Sequence, residues 1–175
     1  QGENLTAYEE QVLRNNTNEL PYLGDGVFRP SISERSSVSR NASDLFFSEY
    51  SEGTGNNKYL EIYNGTGQSV DLSSYIIRYS QNGLQVWNST ELSLNGTLLD
   101  GDVYVVAHSS ANASILAEAD TSESIISNFN GDDVRGLFKV ANNDTTLIDI
   151  IGTQTGGDPG AGWGVAGEAD ATKDH

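Results

Sequence analysis

The sequence predicts an all-β protein, an antiparallel β-sandwich with an N-terminal extension. Three observations lead there. From Leu45 onward, short runs rich in Val, Ile, Tyr and Phe recur at close spacing, turn-forming residues separate them, and no stretch carries the apolar spacing of a strong amphipathic helix. A strand that shows one face to a core and the other to water needs only such short alternating runs.

The strand candidates, in order, are LFFSEY (45–50), YLEIYN (59–64), YIIRYS (75–80), LQVWN (84–88), DVYVVAH (102–108), VRGLFKV (134–140) and TLIDIIG (146–152). Between them stand Glu52-Gly-Thr-Gly, Asn64-Gly-Thr-Gly, Gln81-Asn-Gly, Asp100-Gly, Asn130-Gly, Asn142-Asn-Asp and Gly156-Gly-Asp-Pro-Gly, whose Gly, Asn and Asp tolerate turn conformations. In 59–63, Tyr59, Glu61 and Tyr63 alternate with Leu60 and Ile62, so register decides which set is buried. ANASILAEA (111–119) is the one helical insertion expected inside the sandwich.

Two segments precede the strand series. Residues 1–26 read as an arm with a short helix: Thr6 and Glu9 have capping-box spacing, Tyr8 and Val12 lie four apart, and Pro21, Gly24 and Gly26 end it. Residues 27–44 alternate briefly, with Ile32 and the aliphatic part of Glu34 on one side, then turn polar. Alone, that segment has no partner. Residues 45–175 form the sandwich.

Composition excludes several functions. Nine Lys and Arg against 25 Asp and Glu give a net charge of −16, which repels nucleic-acid phosphates and anionic lipid headgroups. No run reaches the roughly 18 apolar residues of a membrane span. Cysteine is absent, which removes disulfides, thiolate metal sites and a cysteine nucleophile. The chain starts Gln-Gly-Glu and holds no methionine, which reads as processing, by signal-peptide removal or by trimming of a longer sequence. Asn-x-Ser/Thr sequons agree with export. They fall at Asn4, Asn15, Asn41, Asn64, Asn88, Asn95, Asn112 and Asn143, against about three expected by chance, and predict N-linked glycans on a secreted or cell-surface protein.

The residues LFFSEYSEGTGNNKYLEIYNGTGQSVDLSSYIIRYS, GTLLDGDVYVVAHSSA, FNGDDVRGL, LIDIIG and DPGAGWG, in that order, resemble the lamin-tail domain found in secreted bacterial and archaeal proteins, over roughly residues 44–175. The resemblance implies an immunoglobulin-like sandwich and no catalytic residues. In the family, a stretch like Ala171-Thr-Lys-Asp-His175 runs on into one more strand. Ser31–Ser39 is similar to that strand, with Ile32 in place of its Leu, Arg35 at a basic position and Ser36-Ser37-Val38 matching directly. The expectation is a last strand moved to the front.

A sandwich short of one strand exposes unpaired N–H and C=O groups and apolar side chains along a groove. Filling that groove within one chain asks the six residues Ser39–Asp44 to return a strand length of about 20 Å, which they span only when pulled straight. Filling it from a second copy removes the strain, and a contact of that kind propagates head to tail. Both routes stay open on the sequence, as does a last strand encoded after His175. The donor residues would be Ile32, Glu34, Arg35 and Val38.

Other chemistry finds little support. His108 and His175 stand at a strand end and at position 175, without metal-ligand or triad spacing. Calcium is the one metal worth weighing, with Glu49, Glu52, Asp132 and Asp133 as candidate ligands beside loops, although FNGDD equally serves a turn in which an Asp caps backbone N–H groups. Tyr59, Tyr63, Tyr75, Tyr79, Trp87, Tyr104 and Trp163 are candidates for a sugar-stacking face, or for core and cross-strand pairs. The expected function is a non-enzymatic subunit of an extracellular filament, with copies of itself as partners. The alternative is a monomeric accessory module that binds calcium or carbohydrate.

Overall fold

The computed structural model describes residues 41–154 and 157–174, together with the backbone of residues 22–23 and 27–28. The chain divides into two units, residues 1–40 and 41–175. In the first unit, β1 (Tyr22–Leu23) pairs antiparallel with β2 (Val27–Phe28) across Gly24-Asp25-Gly26. The helix expected in 1–26, Asn4, Asn15, the donor residues Ile32, Glu34, Arg35 and Val38, and His175 lie outside the described residues.

The second unit is an immunoglobulin-like sandwich of two four-stranded sheets. One sheet has the order β10-β9-β4-β3, from Thr121–Glu123, Val103–His108, Lys58–Tyr63 and Phe46–Glu52. The other has the order β12-β11-β6-β7, from Asp144–Ile151, Val134–Ala141, Tyr75–Ser80 and Glu91–Ser93. A small pair, β5 (Val70–Asp71) with β8 (Thr97–Leu98), closes one corner. Helix α1 (Ala113–Glu118) packs beside β9, as the ANASILAEA pattern predicts.

Strand β4 settles the register that the sequence left open. Leu60 and Ile62 are fully buried, while Tyr59, Glu61 and Tyr63 face outward. Leu60 and Ile62 join Ile77, Val106 and Leu137 in the core, and burying side chains of this size stabilises by about 1.5–3 kcal/mol each. Between β11 and β12, Asn142 and Asn143 both adopt positive φ (52° and 65°), the backbone of a two-residue turn whose twist matches its strands.

The run LQVWN (84–88) is not a strand. Gly83, at φ +67°, turns the chain out of β6, and Ser80 Oγ donates to the Leu84 carbonyl. Leu84 and Val86 are exposed, and Trp87 folds back to meet the Phe138 ring edge-on at 5.0 Å. The fourth strand of that sheet is instead the polar-flanked Glu91–Ser93. One further departure from an all-antiparallel layout is β10, which runs parallel to β9.

Candidate functional site at the free sheet edges

On one flank the two sheets end in strands of only three residues, β10 and β7. On the other they end in long strands, β3 with seven residues and β12 with eight. Among the described residues no strand pairs with the outer edge of either. Long free edges are what soluble proteins ordinarily shorten, charge or cover.

The two long edges lie side by side. The Phe47 N–H on β3 donates to Asp149 Oδ2 on β12 at 2.7 Å. Register breaks flank this tie, between Phe47 and Glu49 on β3 and between the Asp149 and Leu147 positions on β12. Such bulges bend an edge strand and leave one residue out of the ladder. Along this flank Phe47, Tyr50, Ile148 and Ile151 pack against the core yet remain half-buried, while Phe46 and Leu147 are exposed. On the inner strands Leu60, Ile62, Ile77 and Leu137 are closed to solvent, although Tyr79 of β6, and Val70 and Leu92 elsewhere, are also half-buried against the core. Among the described residues the flank thus combines edge backbone that pairs with no further strand and half-buried apolar side chains.

The end of the core near this flank is held by two buried cations on the Phe129 ring. Lys58 Nζ lies 5.8 Å and the Arg135 guanidinium 5.1 Å from its centroid. Lys58 bonds the Phe129 carbonyl and pairs with Glu52 at 3.2 Å. Arg135, wholly buried, donates to the carbonyls of Ile126, Val134 and Asn128. Burial pulls its pKa down to about 10, and the charge of Asp133 opposes that fall.

These cations engage two of the four residues considered for calcium, Glu52 and Asp133. Glu52 pairs with Lys58 and also accepts from the Asp174 N–H at 2.9 Å. Asp133 caps two backbone N–H groups, those of Asn82 (3.1 Å) and Asn130 (3.2 Å), and lies 3.9 Å from Arg135. Asp132 accepts from Asn82 Nδ2 at 3.1 Å, and burial, then the Asp133 charge, raises its pKa. Glu49 is elsewhere, on the outer face of β3, where it accepts from Tyr59 Oη at 2.6 Å; that bond is the main reason the Tyr59 phenol is pushed up to about 12. Among the described residues no group of three or more His, Asp or Glu is placed to hold a metal ion.

The aromatic candidates do not share a face. Tyr59 and Tyr63 lie on the outer face of one sheet, Tyr75 and Tyr104 belong to the core, and Tyr79 stacks on Arg135 at 5.2 Å. Trp87 covers the outer face of the other sheet, and Trp163 is buried against Asp133, its Nε1 donating to that residue's carbonyl. His108 is also buried, its Nδ1 accepting from the Ser110 N–H at 3.0 Å. Of the described sequons, Asn41, Asn95, Asn112 and Asn143 are exposed and Asn88 is half-buried. Asn64 is the exception. It is fully buried and its Nδ2 donates to the carbonyls of Gln68 and Leu98, so a glycan there is incompatible with this fold.

Sequence reasoning missed two parts of this arrangement. Asp149, inside an apolar run, gave no sign that it would bond a backbone group 102 residues away. Glu123 gathers the N–H groups of Ile125, Ile126 and Ser127 and so shapes the loop that carries Phe129. An acidic residue just before a run of N–H groups without strand partners is the signal that could have found it.

Among the described residues no helix is long and apolar enough to cross a membrane. No curated protein matches the chain. The family model of the lamin tail domain matches residues 38–155, which take in every strand of both sheets. The chain belongs to the lamin tail domain family, a non-enzymatic family of immunoglobulin-like sandwich modules.

Proposed function

We propose that this protein is a structural subunit of an extracellular filament, in which residues 27–39 of one copy add as a strand to the β3/β12 flank of the next. The observation that carries the reading is the pairing of two long, unpartnered sheet edges over half-buried Phe47, Tyr50, Ile148 and Ile151. An added strand supplies backbone partners for such an edge and side chains for the exposed apolar groove. In residues 27–39, Phe28, Ile32 and Val38 share one face of an extended strand, which suits that groove.

Charge supports the same pairing. Residues 41–175 hold five Lys and Arg against 19 Asp and Glu, net −14, whereas residues 27–40 hold three Arg against one Glu, net +2. The subunit bodies repel one another and the donor segment is drawn to them, so assembly responds to ionic strength. The exposed sequons fit a glycosylated surface on a secreted polymer.

Electron microscopy and sedimentation of the full chain test the reading. Wild type should form filaments, and the I32D/V38D variant should remain as single subunits with an unchanged melting transition. A variant that polymerises like wild type would overturn it.

A further inference from the structure

On the outer face of the first sheet, Glu49 of β3 stands directly opposite Glu61 of β4. Like charges at directly opposed positions of an antiparallel pair destabilise it, their Cβ atoms being about 5 Å apart. Each carboxylate is held through one oxygen only: Tyr59 Oη donates to Glu49 Oε1 at 2.6 Å, and Ser48 Oγ donates to Glu61 Oε1 at 2.7 Å. The second oxygen of each has no donor among the described residues. The two border a cleft of about 380 Å³ whose far wall carries a third carboxylate, Glu118 of α1.

Four of the five cations in residues 41–175 are already paired with other carboxylates. Lys58, Arg78, Arg135 and Lys139 are engaged with Glu52, Glu91, Asp133 and Asp44, which leaves Lys173, in the loop after Trp163. Glu49 is one strand in from nothing: its strand, β3, is the free edge itself. A strand added there lies about 4.8 Å from β3, and its outward side chains continue the row that holds Glu49 and Glu61. With Ile32 and Val38 turned to the groove, Arg35 falls on the outward face, because side chains three apart on a strand point to opposite sides.

We infer that residues 31–39 of a second copy add to the edge of β3 rather than to that of β12, and that their Arg35 places its guanidinium at the paired carboxylates Glu49 and Glu61. The inference rests on the donor-strand reading and names its edge and its outward contact. A planar guanidinium offers a fork of N–H donors to two carboxylates at once, which an ammonium does not. The arginine relieves the like-charge pair only when a neighbour is bound, so the contact favours assembly over the single subunit.

Three full-length variants test this at low salt, with filament formation read by sedimentation and folding by melting transitions. R35E should raise the protein concentration needed for half-assembly by roughly tenfold or more, as a lost and reversed charge contact does. E49K/E61K should do the same, and an equimolar mixture of the two should recover alternating filaments, in which the R35E donor meets the E49K/E61K edge and the unaltered Arg35 donor meets the unaltered Glu49 and Glu61. R35E assembling like wild type, while I32D/V38D does not, would overturn this inference and leave the donor-strand reading standing. Failure of the charge-reversed mixture to recover any assembly would also overturn it. I32D/V38D assembling like wild type would bring down the donor-strand reading itself.

Discussion

Phe47 and Asp149 join the free edges of the two sheets: the Phe47 N–H donates to Asp149 Oδ2 at 2.7 Å, while Asp149 Oδ1 accepts from the Ile150 N–H at 2.9 Å. The carboxylate thus occupies one position where a further strand's carbonyl would otherwise bond β3. It holds the flank together without closing it.

Replacing Asp149 by Ala leaves the Phe47 N–H without its acceptor on a half-buried edge. The expected loss is about 1–3 kcal/mol, the range for a donor stripped of a charged partner. Asp149→Asn keeps an acceptor oxygen and loses the charge, so it should fall between wild type and the Ala variant. Urea unfolding at neutral pH checks the order, and an Ala variant as stable as wild type would show that the bond contributes nothing.

Arg135 carries a larger share of the stability. Its guanidinium serves three carbonyls of the 126–134 segment and lies between Tyr79 and Phe129. Arg135→Met keeps most of the volume but strips the buried carbonyls of their donors and leaves Asp133 without its cation. The expected cost is about 3–5 kcal/mol. Arg135→Lys should recover only part of it, since one ammonium cannot reproduce the fork. Denaturant midpoints, with the slope checked for unchanged two-state behaviour, decide this.

Stability should also carry the pH signature of Asp44 and Lys139, which pair at 2.7 Å with Tyr75 Oη donating to the same carboxylate. Burial works to raise the Asp44 pKa, but the hydrogen bonds from Lys139, Tyr75 and the Leu45 N–H outweigh it and hold the carboxyl below its ordinary 3.8. Its contribution is therefore complete above pH 3.8 and disappears as pH falls through the lower folded value. Lys139 is raised above 10.5, chiefly by the Asp44 hydrogen bond, so its contribution is complete below that pH and disappears as pH rises past it. Lys139 is 42 % exposed, so water screens the pair and each limb should be under about 1 kcal/mol. Asp44→Asn should flatten both limbs of the stability profile.

Local patterns gave the sandwich away. Alternation in 59–63 and the β-branched runs at 75–80 and 134–140 match β4, β6 and β11 closely, because the core face of a strand is written in its own residues. LQVWN misled for a tertiary reason: its tryptophan is needed as a lid over Phe138 and Gly136, where a Cβ on the glycine would meet the Trp87 ring at 2.6 Å. Asp149 and Phe47, or Lys58 and Phe129, depend on which distant strands become neighbours, and no window of sequence contains both partners. The likeness of Ser31–Ser39 to a strand expected elsewhere concerns residues outside those described.

Asn64 shows how far a motif can be from a site. Asn64-Gly-Thr reads as a glycan acceptor, yet its side chain is fully buried. Nδ2 donates to the Gln68 carbonyl at 2.8 Å and the Leu98 carbonyl at 2.9 Å, and Oδ1 accepts from the Thr66 N–H and hydroxyl. Four hydrogen bonds from one amide fix the loop between β4 and β5 and leave no room for a sugar. Glycopeptide mass spectrometry of protein made in a glycosylating host should find Asn64 empty, whatever the occupancy at exposed Asn95, Asn112 and Asn143. Asn64→Gln should lower stability by about 2–3 kcal/mol, because the longer side chain cannot hold buried bonds of this geometry. The same change at Asn95 or Asn112 should stay within about 0.5 kcal/mol, as exposed substitutions do. A glycan on Asn64 in folded protein would require the 64–68 loop to be built differently.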